Sequence, residues 1–295
     1  MTRSPQMRGG SVLIAALVSV AVAALFAVGA ATLLRAATYE VGERLRAASD
    51  SRAAFECIDA FARDVLLCDT NGIDHLLEPW RLPYPAEPSP GQATLAPEFP
   101  SGDDDAFHPC ADEESRLPLN SAPEEAIAAL ISSCAGRPAP EAAAIAAELA
   151  LLRPFQRREF ALRAPSMSPE IYGAIAPFVT AAPTEAVNLN TAQRQVLEAV
   201  FAAAGEFGSG AARSLARKII DFRLSGGHFE SLDAASLGAA LGGINQAEAE
   251  ALLAAAGTLS VESRHFSAVA RRGAASIAFT FDRHDASFRR IAVSR

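Results

Sequence analysis

The chain has 295 residues, 34 acidic against 26 basic, for a formal net charge of −8, and half of its residues are apolar. A charged fraction of 20% beside that apolar half excludes a disordered chain, and the length suffices for one large core or two smaller ones. The acidic balance removes any global pull towards nucleic acid or anionic lipid, while a mean hydropathy of +0.16 requires apolar residues to be concentrated somewhere.

They are concentrated near the N-terminus. Ser11 to Leu34 contains no charged residue, and at 1.5 Å per residue this run spans about 36 Å, enough to cross a hydrocarbon core of about 30 Å. It is longer than the apolar core of a secretory signal and ends at Arg35 without a small-x-small cleavage site, so it reads as a retained anchor. Beyond it, Val41, Leu45, Phe55, Ile58, Phe61 and Val65 keep helical spacing, which predicts one helix from Ser11 to about Leu67, amphipathic in its second half. Residues 1–10 form a short leader with Arg3 and Arg8 that ends in Gly9-Gly10.

After the helix come Asn71-Gly-Ile-Asp-His-Leu-Leu-Glu-Pro-Trp80 and a Pro-rich stretch, then Leu117-Pro-Leu-Asn-Ser-Ala122. A related phrase, Val187-Asn-Leu-Asn-Thr-Ala192, returns 70 residues later, matching Asn120 to Asn190, Ser121 to Thr191 and Ala122 to Ala192. Asn, Ser and Thr accept from the free amides of a helix's first turn, so Asn120, Ser121, Asn190 and Thr191 read as caps of the helices that start each copy. Gly242-Gly243 allows a tight turn of the helix-hairpin-helix kind before Ala-rich helix. Strands are expected near 78–84, 92–98 and 114–119, and again over 264–271, 276–282 and 287–293, where Ile277, Phe279 and Phe281 share a face.

A basic leader ending in Gly before an unbroken apolar-to-amphipathic helix resembles the type IV pilins and pseudopilins. With the D-x-L-x-E-P-W phrase, the repeated L-N-[ST]-A frame and the terminal strands, the chain as a whole resembles the type II secretion minor pseudopilins of the protein K family. The resemblance implies an α+β pilin-like fold, a long helix on a small antiparallel sheet, interrupted by an all-helical domain with helix-hairpin-helix-like repeats. Its parts are then a leader (1–10), a transmembrane helix (11–34), an amphipathic continuation (35–67), a first part of the α/β body (68–120), an inserted helical domain (121–257) and closing strands (258–295). It further implies prepilin peptidase cleavage between Gly10 and Ser11 and a single-pass inner-membrane anchor, with the N-terminus cytoplasmic and the bulk periplasmic. The implied partners are minor pseudopilins I and J, the major pseudopilin G, the inner-membrane secretion platform and the lipid bilayer through 11–34. Most pilin-like chains carry Glu at the fifth position after the cut; here Ala15 stands there, which suits a subunit with no neighbour above it.

No enzyme signature is present: the five histidines are scattered, H-E-x-x-H is absent, and Gly208-Ser209-Gly210 reads as a loop between helices. Asp103, Asp104, Asp105 and Asp112 could offer oxygen ligands to calcium, without EF-hand spacing. Cys110 and Cys134 are the expected disulfide pair if this part is periplasmic. Two other readings fit parts of the chain: a minor pilin of a type IV pilus, and a membrane-tethered DNA-binding protein using its hairpin. The hairpin carries Glu248 and Glu250 and no basic residue, which argues against nucleic acid as a ligand.

Overall fold

The computed structural model describes residues 9–69, 71–96, 110–205 and 208–294. It divides into two compact units, 1–50 and 51–295, described separately below.

The first unit is helical throughout its described residues, as the start of α1 (Gly9–Phe61). Its apolar side chains, among them Leu13, Leu17, Leu25 and Phe26, are exposed, and this is a helix long and apolar enough to cross a membrane. Gly10 and Ser11 both lie on it, and residues 1–8 of the leader fall outside the described residues.

In the second unit, the end of α1 carries Ala54, Ile58 and Phe61 at helical spacing, all buried. The helix then widens into a single π turn, Ala62–Leu66. This stripe belongs to the same apolar core as a five-stranded antiparallel sheet of β1 (Thr94–Ala96), β2 (Ala111–Asp112) and three strands from the C-terminal end. Both short strands pair with the long seventh strand, Thr94 opposite Arg271 and Ala111 opposite Ser267.

Between β2 and that strand lies the rest of the unit: β3 (Leu117–Pro118), α2 (Glu124–Ala135), α3 (Ala139–Leu151), α4 (Pro169–Ile175), β4 (Val179–Thr180) and β5 (Val187–Asn188), followed by α5 (Arg194–Ala203), α6 (Gly208–Leu224), α7 (Ala234–Ala240), α8 (Gln246–Ala255) and β6 (Leu259–Ser260). The chain closes with β7 (His265–Arg272), β8 (Ala275–Asp282) and β9 (Ser287–Ser294). On the sheet's inner face Phe266, Ala268 and Ala270 of β7 stand opposite Phe281, Phe279 and Ile277 of β8, every one buried. Trp80 lies edge-on to Phe266 with ring centroids 5.4 Å apart.

The helical segment has its own core, from Leu117 to Leu259, and is built twice. In each copy a two-residue strand enters, helices follow, and a two-residue strand returns parallel to the first: β3 with β4, β5 with β6. The α2–α5 pairing, one helix from each copy, runs through the shared core.

Three expectations are corrected. Residues 79–81 form a 3-10 turn and not a strand, since Pro79 has no N–H to give a ladder. In 114–119 only Leu117 and Pro118 are extended, because Glu113–Ser115 form a 3-10 turn. The Gly208-Ser209-Gly210 run opens helix α6.

Candidate functional site

The two copies meet the sheet at a buried polar joint that begins with three consecutive acids. Asp112 ends β2 in extended backbone and the 3-10 turn Glu113–Ser115 then sends successive side chains about 120° apart, so the three acids point to different partners. Asp112 caps the turn, accepting from Glu114 N at 2.8 Å, and also accepts from Ser263 Oγ at 2.6 Å and from the Thr191 hydroxyl. Glu113 accepts from the hydroxyls of Ser267 and Thr180 and pairs with Arg116 at 2.6 Å. Asp112 thus grips Ser263 just before β7 and Glu113 grips Ser267 within it, and each also holds one threonine of the helical segment, Thr180 closing the first copy and Thr191 opening the second. Glu114 faces His265, accepting from its backbone N at 3.0 Å and meeting Nδ1 at 2.8 Å.

Asp74 completes the joint. It accepts from Ser263 N at 2.6 Å and from Arg283 at 2.8 and 2.5 Å, and its carbonyl accepts from Asn188 Nδ2 at 3.2 Å. The same Asn188 amide donates to Ser263 Oγ at 2.7 Å, so β5 is tied to both acids through one serine.

The neighbouring acids carry opposite electrostatics. Burial, then the adjacent Glu114, pushes Asp112 up to about 8, and burial likewise pushes Glu114 up to about 8. Glu113 is equally buried, yet Arg116 and its two hydroxyl donors outweigh the desolvation and hold it below the usual carboxylate range. Burial raises Asp74 to about 6 against the pull of Arg283. Burial also lowers His265, whose Nε2 has no hydrogen-bond partner and lies 3.6 Å from Asp282.

The residues read as helix caps do something else. Helix α2 starts after Pro123 and α5 after Gln193, neither with a side-chain cap. Asn120 instead accepts from Phe155 N at 2.7 Å and donates to Phe155 O at 3.0 Å, while Asn190 makes the same pair with Phe229 at 2.7 and 2.9 Å. An Asn amide carries a donor and an acceptor side by side, so it pairs with a peptide unit as a neighbouring strand would. Ser121 donates to Thr184 O at 2.9 Å and Thr191 to Asp112. An arginine closes each turn: Arg153 donates to Leu119 O and Ala122 O, and Arg223 to Ala192 O. Arg153 and Arg223 follow their matched alanines at equal spacing, a signal readable in the sequence and missed there. Among the described residues, side-chain caps do occur at Ser168 on α4, Asp233 on α7 and Asn245 on α8.

Cys110 and Cys134 are both free thiols, so the expected disulfide is not formed. Cys110 sits in the sheet core, donating to Trp80 O, and Cys134 packs on the helical core. Of the calcium candidates, Asp112 has its oxygens engaged with Glu114 N, Ser263 and Thr191 inside the joint, and Asp103, Asp104 and Asp105 lie outside the described residues. Asp69, Asp74 and Glu78 bring one carboxylate oxygen each within 4.8 Å of one another, but Arg283, Ser263, Asn71 and Trp80 already donate to Asp74 and Glu78. Histidines scattered in sequence also meet: His75 stacks on His228 with centroids 4.3 Å apart. At the Gly242-Gly243 turn both glycines have positive φ, 69° and 99°, and Lys218 donates to Gly243 O while pairing with buried Glu248 at 2.7 Å.

A long apolar helix, a small antiparallel sheet and an inserted run of helices define a pilin-like α+β fold. Among solved structures the chain is similar to a chain of the GspK-GspI-GspJ complex from the type 2 secretion system of enterotoxigenic Escherichia coli. The TM-score is 0.60 at 18% sequence identity, covering 88% of this chain and 99% of that one, a likeness that establishes the fold. No protein-family model matches the chain, and no curated protein matches it in sequence.

Proposed function

We propose that this chain is a non-enzymatic minor pseudopilin of the protein K kind, seated at the tip of a type II secretion pseudopilus. The observation that carries the proposal is the likeness over 88% of this chain and 99% of a chain from a GspK-GspI-GspJ complex. In this reading the apolar half of α1 anchors the subunit in the inner membrane, and prepilin peptidase cuts between Gly10 and Ser11. The chain then joins I-like and J-like minor pseudopilins and helps to start a filament of the major pseudopilin. Its chemistry is packing: exposed apolar residues on α1 offer a surface for neighbouring helices, and the insertion occupies the space a further subunit would need. Ala15 supports a capping position, since a carboxylate there needs a partner from an adjacent subunit.

Co-expression with I-like and J-like pseudopilins from the same genome tests the reading. A ternary complex extracted from the membrane in detergent is the expected result, and a chain that purifies alone while I and J associate with each other would overturn it.

A further inference from the structure

The buried charges of the joint do not balance as a set. Asp74 is matched by Arg283, Glu113 by Arg116, and Asp282 by Arg264 and Arg289. Asp112 and Glu114 remain, 2% and 5% exposed, and among the described residues the basic side chain that reaches the pair is His265. The two carboxyls stand two residues apart on one turn, which the bond from Glu114 N to Asp112 Oδ1 closes, and two carboxylates buried this deeply side by side cannot both stay ionised without a cation of their own. Around the pair stand Glu113 and Arg116 from its own turn, with Asp74, Arg81 and Cys110 from the segments before it. From β7 to β9 come Arg264, His265, Asp282, Arg283 and Arg289.

We propose that Asp112 and Glu114 share a proton at neutral pH, and that this proton clasps the second helical copy to the sheet. Losing it leaves a second negative charge buried without a counter-ion, a cost relieved only by letting water into the joint. Water reaches Asp112 by parting it from Thr191 and Ser263, the contacts that hold the start of the second copy. The first copy, held through Glu113 and Thr180, has Arg116 as its permanent counter-ion and keeps its attachment. At the junction of the two copies, the end of the first is therefore held through an ion pair and the start of the second through a proton.

Folded carboxyls raised above their unfolded range stabilise the protein below that range and lose the contribution as pH climbs through the folded value. One retained proton makes the unfolding equilibrium constant rise about tenfold per pH unit between the two values.

The test uses the full chain in detergent. Infrared spectra at neutral pH should contain a protonated-carboxyl band that shifts in heavy water, disappears on titration to about pH 9, and is lost in Asp112→Asn or Glu114→Gln. Amide exchange, corrected for its intrinsic pH dependence, should accelerate over that range at Leu189 to Ala192 and hold steady at Leu119 to Ala122. A band that survives both substitutions, or no band at all, would overturn the proposal. Equal acceleration at both turns would do the same, and the wild-type spectra and exchange decide the matter even if the variants misfold.

Discussion

The two copies of the helical unit share one plan and differ in how deeply water reaches them. Asn190 is 1% exposed and locks Phe229 in a closed turn, whereas Asn120, making the same two bonds to Phe155, is half-buried and also donates to Ala181 O at 3.3 Å. The attachments differ in the opposite sense, Glu113 with a counter-ion in the first copy and Asp112 without one in the second. A repeated sequence frame therefore repeats the local geometry, while energies follow what surrounds each copy.

The largest break in this comparison should come from Asn190→Ala. It strands a buried N–H and a buried C=O at Phe229, each costing about 1–3 kcal/mol, so a loss of about 2–4 kcal/mol is expected in urea unfolding. Asn120→Ala should cost about 1–2 kcal/mol, because Asn120 is itself half-buried and water can enter where its amide is removed. Equal losses at the two positions would mean that exposure does not separate the copies.

The attachments should respond to pH in opposite directions. Glu113 is held below its unfolded value, so its contribution is present above the ordinary carboxylate range and is lost as pH falls through its depressed folded value. Asp112 is raised to about 8, so its contribution is present in acid and is lost as pH rises to about 8. Thr180→Val should therefore weaken the protein's resistance to acid, and Thr191→Val should change the slope of stability between about pH 5 and 8. Thermal melting from about pH 2 to about pH 9 reads both, and parallel curves for the two variants would remove the distinction. The smallest effect belongs to α7, whose cap Asp233 is drawn down to about 2 by Ser231 and Ser236. In acid titration followed by NMR, its carboxyl should be among the last to protonate, and Ser231→Ala should move it back towards the ordinary range.

Most of the architecture was legible in the sequence because it depends on local pattern. The uncharged run of 24 residues, the helical spacing of Ile58 and Phe61, and the alternation of Ile277, Phe279 and Phe281 each specify an element by period alone, although Val41, Leu45 and Phe55 of the expected stripe are exposed. Pro79 should have been read as a breaker for the same reason. The L-N-[ST]-A frame exposed the duplication, but the cap reading of its Asn residues failed. Asn is good at satisfying backbone amides wherever they lie, and here they lie 35 and 39 residues downstream.

The joint was not legible at all. The sequence marks Asp112 only as a calcium candidate and Glu114 only as the start of a strand, and the partners of these acids, Thr191, Ser263, Ser267 and His265, stand between 79 and 154 residues away. By itself the sequence determined the long apolar helix, the C-terminal strands and the doubling of the helical unit, since these follow from spacing along one chain. Only the tertiary structure decided which carboxyl found an arginine and which was left to share a proton. That depends on the company a buried charge keeps, and burial brings together residues that have no relation in sequence.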